Sequence, residues 1–166
     1  TPQQIFALGS FGGTYWRPIY SRITKKKYKD QHKEFKWLKK INNKLLTGVI
    51  CEPKYNNYKV SVGTSLVFWE DKGWINEQDP YGWVQWYCRF YDGRRSPDDK
   101  RQIERWKKFA GSKGRFRRWL KTLIIKKNTT WNDYHISPKI RQSLQHWGYR
   151  LTKKDFESEK KRRQKK

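Results

Sequence analysis

Ten Trp, ten Tyr and eight Phe residues sit in a 166-residue chain that is only 34% hydrophobic, with a mean hydropathy of −1.18. A chain that polar does not ordinarily bury enough apolar surface to offset the entropy lost on folding. Twenty-eight large rings change that balance, because each removes a large apolar area from water. The core must therefore be largely aromatic. The length suits one domain, or one core with a tail, better than two independent cores.

Forty Lys and Arg residues against 15 Asp and Glu leave a formal charge of +25. An excess of that size repels itself unless a polyanion neutralises it, and nucleic acid, DNA or RNA, is the commonest polyanion inside cells. The cations are spread along the chain, with thirteen before Ser65 and nine after Tyr149, so a surface tracking a phosphate backbone fits better than one membrane-binding patch. No apolar run approaches a membrane span, and no signal pattern opens the chain. A soluble, intracellular protein is expected, with the nucleus or nucleoid open to it. Cys51 and Cys88 lack CxxC or CxxH spacing, so both are expected to be reduced, and no metal or other cofactor is called for.

The pattern predicts a mainly α fold: a compact multi-helix domain over residues 1–151, a short extended or β section near the N-terminus, and a basic helix or tail over 152–166. Ile5 to Tyr20, broken by Gly9, Gly12 and Gly13, reads as extended chain with a glycine turn. Tyr28 to Ile41 reads as an amphipathic helix and Tyr55 to Val62 as extended. Further helices are predicted after Ser65, from Asp79-Pro80 to Gly93, from Ser96-Pro97 to Gly111, from Arg115 to Lys127, and from Ser137-Pro138 to Gly148. Thr152 and Asp155 form a capping box for a last helix whose only large apolar residue is Phe156.

The candidate contacts follow from this punctuation. Arg94 and Arg95 lie on the connection between two helices, and Lys113, Arg115, Arg117 and Arg118 lie on the next turn and helix start. Backbone N–H groups there also favour anions. Arg89 and Lys121 belong to the same basic segments, and Trp106 or Trp119 would form a stacking wall for bases. The two helices joined by Ala110 to Gly114 resemble a helix-turn-helix unit in length. Arg89 has a second reading, an ion pair with Asp92 or Glu70.

An enzyme acting on nucleic acid is the alternative. It would use Asp92 with Asp98, Asp99 or Glu104 as a magnesium-dependent nuclease, or process a base everted into an aromatic pocket. Asp98 and Asp99 also sit where a helix first turn favours carboxylates. A structural ribonucleoprotein subunit is a further alternative. No Ser-His-Asp order, HExxH or Walker motif occurs.

The phrases Leu8-Gly-Ser-Phe-Gly-Gly-Thr-Tyr-Trp-Arg-Pro-Ile19, Asp79-Pro-Tyr-Gly-Trp83, Gln85-Trp-Tyr-Cys-Arg-Phe-Tyr91, Gly93-Arg-Arg95 and Ile140-Arg-Gln-Ser-Leu-Gln-His-Trp147 resemble an uncharacterised family of small, basic, Trp-rich proteins over roughly Leu8 to Phe156. The resemblance implies no activity and no catalytic residue.

Overall fold

The computed structural model describes residues 1–165; Lys166, the last residue of the expected basic extension, lies outside them. The fold is mainly α. Among the described residues seven α-helices follow one another: α1 (Pro2–Ala7), α2 (Leu66–Asp71), α3 (Trp83–Tyr91), α4 (Asp99–Phe109), α5 (Arg115–Lys126), α6 (Pro138–His146) and α7 (Lys153–Gln164). The strands β1 (Ile19–Ser21) and β2 (Lys26–Tyr28) pair antiparallel, with Ile19 opposite Tyr28.

The helix ends are built by short polar side chains. Ser65 accepts from the Phe68 N–H and Thr152 from the Asp155 N–H. Asp99 reaches back to the Ser96 N–H at 3.0 Å, as a capping-box carboxylate does. α3 starts later than the Asp79-Pro80 signal suggests. Its N-cap is Gly82, and the Asp79 side chain faces inward instead of capping. The hydroxyl of Tyr15, 70 residues earlier in sequence than Gln85, accepts the Gln85 N–H and donates to the Tyr81 carbonyl. An orphan donor of α3 is thus satisfied from another part of the chain.

Three other expectations are corrected. Tyr55 to Val62 forms no strand: Pro53–Tyr55 is a 3-10 turn, Asn57 and Tyr58 turn, and Lys59 is left-handed at φ 55. Pro2–Ala7 is helical, where extended chain was expected from Ile5. Thr1 and Gln4 form a capping box there. The segment Tyr28 to Ile41 is not one α-helix. It makes two 3-10 turns, Gln31–Glu34 and Lys36–Lys40, separated by extended Phe35. Phe35, Leu38 and Ile41 recur every third residue and all three are buried, the period that a 3-10 turn aligns on one side.

Buried hydrophobic residues form two clusters. The first gathers Phe6, Tyr15, Trp16, Phe35, Leu38, Tyr81 and Val84, and the second gathers Leu120, Ile124, Ile140, Leu144 and Phe156. Aromatic packing dominates the first: Trp16 lies 5.4 Å from Phe35, 5.2 Å from Tyr81 and 5.8 Å from Phe6 between ring centroids. The glycine-rich segment lies against Lys44 to Tyr55. Gly13 accepts the Gly48 N–H and Gly12 the Glu52 N–H. Both Gly9 and Gly13 have positive φ, and a Cβ there would overlap the carbonyl oxygens of Tyr55 and Lys44 respectively. Close backbone approach accounts for these glycines.

Candidate nucleic-acid interface

Ten residues named from sequence fall into three environments. Four are held by carboxylates. Arg89 makes a bidentate pair with Glu34 and a further bond to Asp79, and Arg94 makes a bidentate pair with the same Asp79 at 2.9 and 2.6 Å. Asp79 has no exposed surface, so two guanidinium groups satisfy one buried carboxylate. Arg89 is thus ion-paired, as its second reading required, but with Glu34 and Asp79 in place of Asp92 or Glu70. Arg117 pairs with Asp155 at 2.7 Å, and buried Lys121 lies 3.6 Å from Asp155 and 3.7 Å from Glu159. These two belong to the face of α5 that α7 covers. Burial of Phe156 and Glu159 docks α7 there.

Three more named cations, Arg95, Lys113 and Arg118, are exposed. The Arg95 guanidinium lies 4.1 Å from the Phe90 ring centroid. Trp119 is half exposed, whereas Trp106 is partly buried and donates its Nε1–H to the Trp147 carbonyl, supporting that residue from behind. The tenth, Arg115, opens α5 and lines the groove described below. Arg94 and Arg95 do not converge with Arg115 in that cavity.

The carboxylates proposed for catalysis are separately engaged. Asp92 accepts from the Trp37 indole, Asp98 from Arg101 and Gln102, and Asp99 from Trp86 and Ser96. Among the described residues no three His, Cys, Asp or Glu side chains gather as metal ligands.

The cavity is an open groove of about 1050 Å³ in which residues packed on both cores meet. Its lining includes Phe11, Tyr15, Trp69, Trp74, Trp83, Phe109, Phe116 and Trp147, and its cations are Arg17, Arg105, Lys108 and Arg115. No Asp or Glu lines it. None of the four cations lies in an ion pair among the described residues.

One wall is a ladder of rings. Trp83 stacks on Trp147 at 4.6 Å, Trp147 on Phe109 at 4.9 Å, and Phe109 on Phe116 at 4.0 Å. The turn between α4 and α5 makes the last step possible, because a Cβ at Gly114 would meet the Phe109 carbonyl oxygen at 2.5 Å. The Arg115 guanidinium lies 5.2 Å from the Phe116 ring centroid. Arg105, from the last turns of α4, sits between the rings of Trp74 and Trp147 at 5.4 and 5.5 Å. Burial, followed by the nearby Arg101 charge, lowers its pKa to about 10, so it remains cationic at neutral pH. His146, on the same lining, is held neutral: burial lowers its pKa to about 4 despite its 2.6 Å contact with the Ser10 carbonyl.

Arg17, Arg105 and Lys108 escaped the sequence reading, as did the rings of Trp74, Trp83, Phe109 and Trp147. One usable local signal existed: Lys108-Phe109 and Arg115-Phe116 flank a turn of five residues as a repeated cation-then-ring pair.

Comparison with protein-family models, with curated proteins and with solved structures returns no match, so the functional reading rests on the geometry of this chain.

Proposed function

We propose that the protein binds nucleic acid, mainly through backbone phosphates, and that the aromatic groove is the principal contact surface. The observation that carries the reading is the groove lining: four cations without carboxylate partners over aromatic walls, and no acidic residue. A phosphate backbone supplies regularly spaced negative charge to such a rim, and its sugars and bases bring apolar surface to the walls. Arg105 is already partly desolvated, so an incoming phosphate gains more from it than from a fully hydrated lysine.

The test is a fluorescence titration with a short oligonucleotide over a range of salt concentrations. Four phosphate contacts predict a slope of about −3 in log K against log salt, and about fifty-fold weaker binding at 200 mM than at 50 mM. Replacing Arg17, Arg105, Lys108 and Arg115 with Gln should remove most of that slope. A charge-matched variant of the exposed Lys36, Lys39, Lys40 and Lys44, all to Gln, should keep most of it. Equal losses in the two variants would mean that net charge, and not the groove, governs binding.

A further inference from the structure

We infer that the groove selects an unpaired strand, with Arg105 as its central phosphate ligand and Trp69 and Trp74 as the surfaces on which bases stack. This rests on the nucleic-acid reading and names the form of nucleic acid that the site takes.

The two tryptophans differ from the other rings of the groove. Trp83, Trp147, Phe109 and Phe116 cover one another's faces in the ladder, and Phe11 and Tyr15 pack on each other at 4.7 Å. Trp69 has no ring partner among the described residues. Its indole Nε1–H donates to the Thr64 hydroxyl, which fixes the ring without covering a face. Trp74 is 41% exposed; it meets Phe68 at 83°, and the Arg105 guanidinium lies 5.4 Å from its ring centroid, so a base that stacks on the exposed part of this ring does so beside Arg105. The backbone ties the pair together, because the Trp74 N–H donates to the Trp69 carbonyl at 2.9 Å. Large indole faces held in place at the wall of a cationic groove are what a splayed base can use, and every base offers a matching π surface.

Arg105 supplies the charge at the same place. Its Nη1 donates to the Gln102 side chain at 3.0 Å and to the Trp74 carbonyl at 3.4 Å, while Nε and Nη2 find no protein acceptor among the described residues. Two donor positions of one guanidinium therefore remain for an anion, with the Trp74 and Trp147 ring centroids 5.4 and 5.5 Å away. In a duplex the base faces are covered by their own neighbours, so a duplex can engage the rim cations but not Trp69 and Trp74. An unpaired strand engages both, and base stacking contributes about 1–3 kcal/mol per base, or roughly five- to 150-fold in affinity.

The experiment measures, on the full-length protein, the affinity of a mixed-sequence single strand and of its blunt duplex of equal length at about 150 mM salt. Wild type should hold the single strand at least ten-fold more tightly and show quenched tryptophan emission on binding it. Trp74→Leu and Trp69→Leu keep an apolar side chain but no ring face. Each should lose at least five-fold for the single strand and less than two-fold for the duplex. Arg105→Lys keeps the charge without the planar fork, so it should weaken the single strand while leaving the circular dichroism of the protein unchanged. If a tryptophan variant fails to fold, wild-type strand preference and Arg105→Lys still decide the matter. Equal or tighter duplex binding by wild type overturns the strand inference and leaves the nucleic-acid reading intact. Salt-insensitive binding, or no binding to either form, overturns that reading itself.

Discussion

Asp79→Ala tests whether the arginines nearest the aromatic block hold the fold or meet a ligand. Asp79 has no exposed surface and accepts from Arg89 at 3.0 Å and from Arg94 at 2.9 and 2.6 Å. Removing one member of a buried charge cluster costs about 3–5 kcal/mol, because the remaining charges stay desolvated and unpaired. Here Arg89 keeps Glu34, and the two arginine side chains retain 18% and 27% exposure, which places the cost at the lower end, about 3 kcal/mol. For a chain of this size that corresponds to a melting temperature lower by roughly 6–12 °C. Glu34→Ala removes only the 40% exposed partner of Arg89 and should cost under about 1 kcal/mol. Thermal and urea unfolding read both variants, and oligonucleotide titration well below the melting temperature reads their salt slope. The slope should match wild type in each, since neither carboxylate lines the groove. A melting temperature within about 2 °C of wild type for Asp79→Ala, together with a steeper salt slope, would refute this reasoning and show that Arg89 and Arg94 are available to phosphate.

Three further outcomes follow from the packing. Glu159 is held at about pKa 2, chiefly by its bond to Arg162 and then by Arg163 and Lys121, so the stability it contributes is complete above the unfolded carboxylate value of about 4.5 and disappears as pH falls towards 2. Urea midpoints measured from pH 6 to pH 2 should fall less steeply for Glu159→Gln than for wild type, and the variant should start lower at pH 6. His146, held neutral in the fold with a pKa of about 4, works in the same direction over a higher range: its protonation favours the unfolded chain from about pH 6.5 downward, and His146→Gln should flatten that part of the profile. Gly9→Ala meets the Tyr55 carbonyl at positive φ and should cost at least about 2 kcal/mol in urea unfolding, whereas Gly73→Ala, at φ +64 with open space around it, should cost about 1 kcal/mol.

What could be read in advance was whatever depends on neighbours in the chain. Ser65, Ser96 with Asp99, and Thr152 mark helix starts because capping involves residues three apart, Ser137-Pro138 marks one through proline in the first turn without a side-chain cap, and the structure places helices after each. The Thr1-Pro2-Gln3-Gln4 box is equally local, but the glycines that follow it dominate the sequence pattern. The 3-10 turns over Gln31–Glu34 and Lys36–Lys40 were misread because apolar residues three and four apart fit both kinds of helix. The candidate site was hardest to anticipate. Its rings come from positions as distant as Phe11, Trp74, Phe109 and Trp147, and no window along the chain contains them together. Pairings such as Arg89 with Glu34, 55 residues apart, likewise decide which cations are engaged, and periodicity says nothing about them.

The distribution of carboxylates explains why charge alone pointed to a kind of partner but not to a place. Asp79, Asp155 and Glu159 each serve more than one cation, and Glu70, Asp92, Asp99 and Asp133 accept from backbone, indole or hydroxyl donors. Eleven of the 39 described Lys and Arg side chains lie within ion-pair distance of a carboxylate, which leaves 28 without one. Most of those 28 are exposed lysines and arginines, which water and salt neutralise cheaply and which contribute to any polyanion encounter through long-range attraction. Two of the 28, Arg105 and Arg141, are unpaired yet desolvated, but Arg141 donates to the Ile136, Trp131 and Asp133 carbonyls, whereas Arg105 sits between two indole rings with Nε and Nη2 finding no protein acceptor among the described residues. A cation kept in that state is worse off in the free protein than its exposed neighbours, and it therefore gains more from an anion that enters the groove. That asymmetry, and not the total of +25, is why the proposed site is placed at the groove.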